Sequence, residues 1–102
     1  MSEPSHQLIG ERSFQVDGTD EILVKIFAPI PDGENFRCYY LIAGLSWPGR
    51  LRYTMGVDAI GALYNALRVV GSDMREVRDT LGRDITYLGQ PDLDLPTLDV
   101  HG

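Results

Sequence analysis

The sequence predicts an α+β fold: a two-layer sandwich in which an antiparallel sheet of about four to five strands, in the order ββββαβ, carries one long helix on one face. Three observations lead there. Residues 8–55 repeatedly alternate apolar and polar side chains, the period of a half-buried strand. Residues 57–81 change to an apolar residue every three or four positions, the period of an amphipathic helix. Clusters of Gly, Pro, Asp and Asn punctuate the alternating runs, as turns require.

Residues 1–7 are polar and include Pro4, so a loose end is expected there, and residues 97–102 read the same way. The first strand runs from Leu8 to Val16, with Phe14 and Val16 on one face. Asp17-Gly18-Thr19-Asp20 makes a turn. Glu21 to Ala28 is the clearest strand: Ile22, Val24, Ile26 and Ala28 share one face, and Leu23, Lys25 and Phe27 the other. Pro29 to Asn35 reads as a loop, because prolines break a ladder. The third strand, Phe36 to Ala43, sets Phe36, Cys38, Tyr40 and Ile42 against Arg37, Tyr39 and Leu41. Gly44 to Arg50 reads as a turn and Leu51 to Met55 as the fourth strand. Matching apolar faces puts Ile42 near Leu51, Tyr40 near Tyr53 and Cys38 near Met55, since a one-residue slip turns a strand inside out.

The helical stripe is Val57, Ile60, Leu63, Tyr64, Leu67, Val70, Met74, Val77 and Leu81, which places Tyr64 in the core. Asp58 is suited to cap the first turn. Gly71-Ser72 weakens the middle by about 1 kcal/mol. The apolar phase continues through it, which favours one long helix ending at Gly82 over two shorter ones. Ile85 to Leu88 is a short strand signal, and residues 89–96 alternate Leu with Asp between prolines, so their leucines are expected to dock.

Length and composition fit one domain, residues 1–102, with a single core: 43% of residues are hydrophobic and 24% charged. No apolar run approaches the roughly 20 residues of a membrane helix, and the N-terminus lacks the pattern of a secretory signal. The expected location is cytoplasmic, with no membrane contact. A formal charge of −6 opposes binding to nucleic acid and suits a basic protein partner better. Every basic residue except Lys25 is Arg, a skew read as the mark of a GC-rich bacterial genome.

Catalytic and metal chemistry find few residues. The histidines, His6 and His101, lie near the two ends and read as solvated tail residues. Cys38 is alone and sits in a strand pattern, where a thiol acts as a small hydrophobe. Histidine-dependent triads, Cys-His pairs and His-based zinc sites are therefore disfavoured, and no cofactor or metal is expected. Asp92, Asp94 and Asp99 miss the spacing of a calcium loop. Carboxylate-only catalysis stays open.

The second sheet face carries Leu23, Phe27, Tyr39 and Leu41 among Lys25, Arg37 and Arg52, more apolar than a fully solvated face. Either the C-terminal segment or a second chain would cover it. Trp47 beside Arg50 in a turn is the kind of pair found at interface hot spots, unless Trp47 folds back to cap the core. Arg37, Arg52 and Tyr39, if brought together, could grip an anionic group, or they are cross-strand pairs on a solvated face.

Three segments resemble an uncharacterised bacterial domain family over roughly residues 10–96: Phe36 to Gly44, Met55 to Leu67, and Ile85 to Pro96. The chain has Gly61 and Tyr87 where that family's pattern has Gln and Trp. The resemblance implies a stand-alone α+β domain and transfers no site. The residues read as a non-enzymatic protein-binding or assembly protein, of accessory or immunity type, acting as a homodimer or with a protein partner. Its candidate interaction residues are Trp47, Arg50, Arg37, Tyr39, Arg52, Phe27 and Leu41. The alternative is a small-molecule-binding protein or histidine-independent enzyme with an Arg/Tyr-lined sheet face.

Overall fold

The structure, a computed structural model, describes residues 6–45 and 47–96. Its elements are β1 (Leu8–Val16), β2 (Asp20–Phe27), β3 (Ile30–Asp32), β4 (Asn35–Gly44), β5 (Trp47–Gly56), α1 (Ala59–Asp79) and β6 (Ile85–Thr86). The strands form one antiparallel six-stranded sheet with α1 on one face, so the predicted α+β class is observed. Arg37 pairs with both Ile30 and Met55, and Leu41 with both Lys25 and Leu51. Hence β2 and then β3 occupy one edge of β4, and β5 occupies the other. On the far side of β2 lies β1, and beyond it β6.

Two segments expected as connections are strands. Ile30–Asp32 folds back on Asn35–Arg37, and Pro31 is tolerated because so short a strand has few ladder bonds to lose. β5 begins at Trp47, opposite Gly44, so Pro48 and Gly49 lie inside the strand rather than in a turn. The final strand is shorter than expected: Tyr87 and Gln90 exchange backbone hydrogen bonds in a turn that includes Leu88 and Gly89.

Strands β4 and β5 pair as expected but one residue out of the expected register. Leu41 faces Leu51, Tyr39 faces Tyr53, and Arg37 faces Met55. An irregularity between Leu41 and Ala43, where Gly49 takes φ 76°, adds a residue to β5 and resets its parity. Arg52 and Thr54 consequently turn toward the helix. Arg52 reaches Asp73 at 3.6 Å, and Thr54 Oγ1 donates to the Ala62 carbonyl at 2.9 Å. Matching by apolarity fails here because β5 is an outer strand, and what α1 offers it is a carboxylate and a backbone carbonyl.

Asp58 caps α1, its Oδ1 accepting the Gly61 amide at 2.7 Å, and the helix runs unbroken through Gly71-Ser72. Its buried face is Ala62, Ala66, Val70, Gly71, Met74 and Val77. Val57, Ile60, Tyr64 and Leu81 are exposed, contrary to the expected stripe. The small residues set the helix close to β4 and β5, whereas Ile60 and Tyr64 turned inward would hold it off the sheet. Close approach also explains Gly71. A side chain there would meet the Pro96 carbonyl and Leu95 Cβ, because the C-terminal segment crosses the helix at that point.

The core joins Phe14, Ile22, Val24, Cys38, Tyr40 and Ile42 of the sheet to the small face of α1, closed by Ile85 and Leu93. Leu93 is buried and Leu95 packs against the core, so the leucines dock as expected. They dock on the helix side. Arg12 Nη1 ties this strap down by donating to the carbonyls of Leu93 at 3.0 Å and Asp94 at 2.8 Å.

Candidate functional site

The face of the sheet away from α1 has no described segment across it except His6, which settles against Tyr39 and Phe27. The ring centroid of His6 lies 4.4 Å from that of Tyr39 and 6.1 Å from that of Phe27. Alternation along β2 and β4 brings Leu23, Lys25, Phe27, Arg37, Tyr39 and Leu41 to this face, as expected. The bulge in β5 adds Leu51, Tyr53 and Met55, which are 41%, 49% and 37% exposed. The result is an apolar and aromatic strip running across three strands.

Arg37 stands inside the strip with both terminal nitrogens engaged, while its buried Nε finds no hydrogen-bond partner among the described residues. Nη1 donates to Tyr39 Oη at 3.0 Å and Nη2 to Asp32 Oδ2 at 2.7 Å. Its guanidinium carbon lies 4.2 Å from the centroid of the Tyr53 ring. The bonds to Tyr39 and Asp32 hold its pKa above the ordinary arginine value. Lys25 stands opposite Glu11 across β1 and β2. The ion pair shown on this face is Arg37–Asp32.

The predicted site residues divide. Phe27, Arg37, Tyr39 and Leu41 come together on the open face. Arg52 does not join them: it lies on the helix side, its guanidinium carbon 5.5 Å from the centroid of the Tyr40 ring. The expected Arg37–Arg52–Tyr39 group therefore does not form, because the bulge sends Arg52 to the other face. Trp47 is partly buried and packs against the core, while Arg50 is exposed near the start of β5. Sequence reading missed Leu51, Tyr53 and Asp32 as members of the face. Pro48-Gly49 was the available sign of a bulge in β5; nothing local marked His6, whose neighbours are distant in sequence.

Cys38 is buried on the helix side, its thiol donating to the Phe27 carbonyl at 3.3 Å. Burial pushes its pKa up to about 11, which suppresses the thiolate. Among the described residues, no group of three His, Cys, Asp or Glu side chains is arranged to hold a metal ion. No helix among them is long and apolar enough to cross a membrane. His101 and Asp99 lie outside the described residues. What the open face offers chemically is broad apolar and aromatic contact around an ion-paired arginine.

Residues 10–97 match the family model described as Domain of unknown function (DUF6968). No curated protein matches the chain, and no solved structure does. The match covers nearly the whole sheet, the helix and the C-terminal strap, so the chain belongs to the family Domain of unknown function (DUF6968), in keeping with the resemblance to an uncharacterised domain family.

Proposed function

We propose that the protein is a non-enzymatic protein-binding or assembly module that works through the open face of its sheet, with a second copy of the chain as the occupant. The single observation that carries this reading is the strip formed by exposed Leu51, Tyr53 and Met55 beside half-buried Leu41, on a face that no described segment crosses there. Contiguous exposed apolar surface on a domain marks an interaction site. Self-association fits the charge pattern. The chain carries −6, yet Arg37 within the strip is ion-paired with Asp32, so the strip itself presents little net charge to its own image. The outer edge of β5 is unpaired among the described residues and borders the strip, a second surface on which a sheet can continue.

Sedimentation velocity from micromolar to millimolar concentration tests this. A reversible dimer is expected, and Leu51→Asp or Tyr53→Asp returns it to monomer while the far-ultraviolet circular dichroism is retained. A strict monomer throughout, or a dimer indifferent to both substitutions, sinks the proposal.

A further inference from the structure

A cavity of about 290 Å³ lies on the helix side of the sheet, away from the open face. Phe14, Val24 and Ile26 form its floor and Leu63, Leu67 and Val70 its roof. It is a cleft partly open to solvent rather than an enclosed void. Small-ligand pockets are of this order, mostly apolar, with a few polar groups that orient the ligand. Apart from Glu11 and Arg12, the side chains that line it are apolar, so the body of an occupant meets mainly hydrocarbon. That body is hydrocarbon.

Arg12 supplies the polar group in the lining. Its guanidinium is held in place: Nη1 donates to the Leu93 and Asp94 carbonyls, and its carbon lies 4.3 Å from the centroid of the Tyr87 ring. The carboxylate paired with it, Asp94, is 3.9 Å from Nη2, beyond hydrogen-bond length, and its side chain is 79% exposed. A prepositioned cation with donors to spare thus stands beside an aliphatic cavity. Glu11, the other charged lining residue, faces Lys25 across β1 and β2.

We propose that this cavity binds a single-chain aliphatic carboxylate, with the alkyl tail between α1 and the sheet and the carboxylate on Arg12. The proposal is independent of the open face.

The test titrates the full chain, labelled with ¹³C at its methyl groups, with octanoate, decanoate and dodecanoate below their micelle concentrations, and with 1-decanol. Saturable one-to-one shifts are expected at the methyls of Leu63, Leu67 and Val70. Each added methylene tightens binding about fourfold until the cavity is full. Decanoate binds about tenfold tighter than 1-decanol through its charge-assisted bonds. Arg12→Gln erases that difference and leaves the alcohol unaffected. If this variant does not fold, the comparison of acid with alcohol on the unaltered protein decides. Three results overturn the proposal: no saturable shift at these methyls with any chain length; equal affinity for acid and alcohol; or, without ligand, nuclear Overhauser contacts from Leu98 or Val100 to Leu67, which would make the chain's own C-terminus the occupant.

Discussion

Tyr39 and Tyr53 stand directly opposite each other across β4 and β5, their ring centroids 5.6 Å apart, with Arg37 stacked on Tyr53. Cross-strand aromatic pairs contribute roughly 0.2–1 kcal/mol relative to alanines, and a cation over a ring contributes about 0.5–1 kcal/mol at an exposed site. The pair therefore orders the strip at modest energetic gain.

A double-mutant cycle with Tyr53→Leu and Arg37→Lys isolates the stacking. Leucine keeps apolar area but loses the ring face, and lysine loses the planar fork that bonds Tyr39 and Asp32. A coupling of about 0.5–1 kcal/mol in urea denaturation is expected. Zero coupling would mean that the stack contributes nothing in solution.

Gly71→Ala sets two effects against each other. Alanine in a helix interior gains about 1 kcal/mol over glycine. Here the new Cβ would lie 2.5 Å from the Pro96 carbonyl, and overpacking a closed site costs about 1–3 kcal/mol. The clash is expected to win. The variant should be less stable, and amide exchange should quicken around Leu93 and Leu95. A net gain in stability would show that the strap yields freely.

Asp73 on α1 is held above its ordinary pKa of 3.8, first by burial and then by Glu76, with Arg52 opposing. A raised folded-state pKa favours the protonated form, so its stabilising contribution is complete below about pH 4 and is lost as pH rises through the raised value. Asp73→Asn mimics the protonated group. Thermal melts at neutral pH should show it more stable by about 1 kcal/mol, the advantage fading in acid. Arg52 is half exposed, so losing its partner costs little.

Asp17 has the opposite sign. Its carboxylate accepts the Asp84 amide at 2.9 Å and pairs with Arg83, and in that order they lower its pKa from 3.8. Stability from this corner is therefore present above pH 4 and lost as pH falls through the lowered value. Asp17→Asn should be less stable than the parent at neutral pH and indistinguishable from it in strong acid. A constant difference across pH would remove the ionised carboxylate as the cause.

The four main strands, the helix cap at Asp58, the unbroken helix and the docking of Leu93 were all legible in the sequence. Each rests on a local rule: side-chain alternation with period two, apolar recurrence near period four, a carboxylate before the first helical turn, leucines between prolines. Helix phase was not legible. Periodicity located the apolar residues, but the close seat on β4 and β5 selected the small ones, Ala62 and Ala66, and left Ile60 and Tyr64 outside.

The sequence by itself determined the α+β class, the order of the main elements and the two faces of β2 and β4, because strand alternation admits only two choices. The tertiary structure decided which face β5 presents and which side the C-terminal strap covers. One extra residue at the bulge near Gly49 carries Leu51 and Tyr53 to the open face and Arg52 to the helix, and no local pattern of apolar residues records it. The strap goes to the helix side because Arg12 offers donors to its carbonyls there and Gly71 leaves room for it to cross, two positions that meet it only after folding.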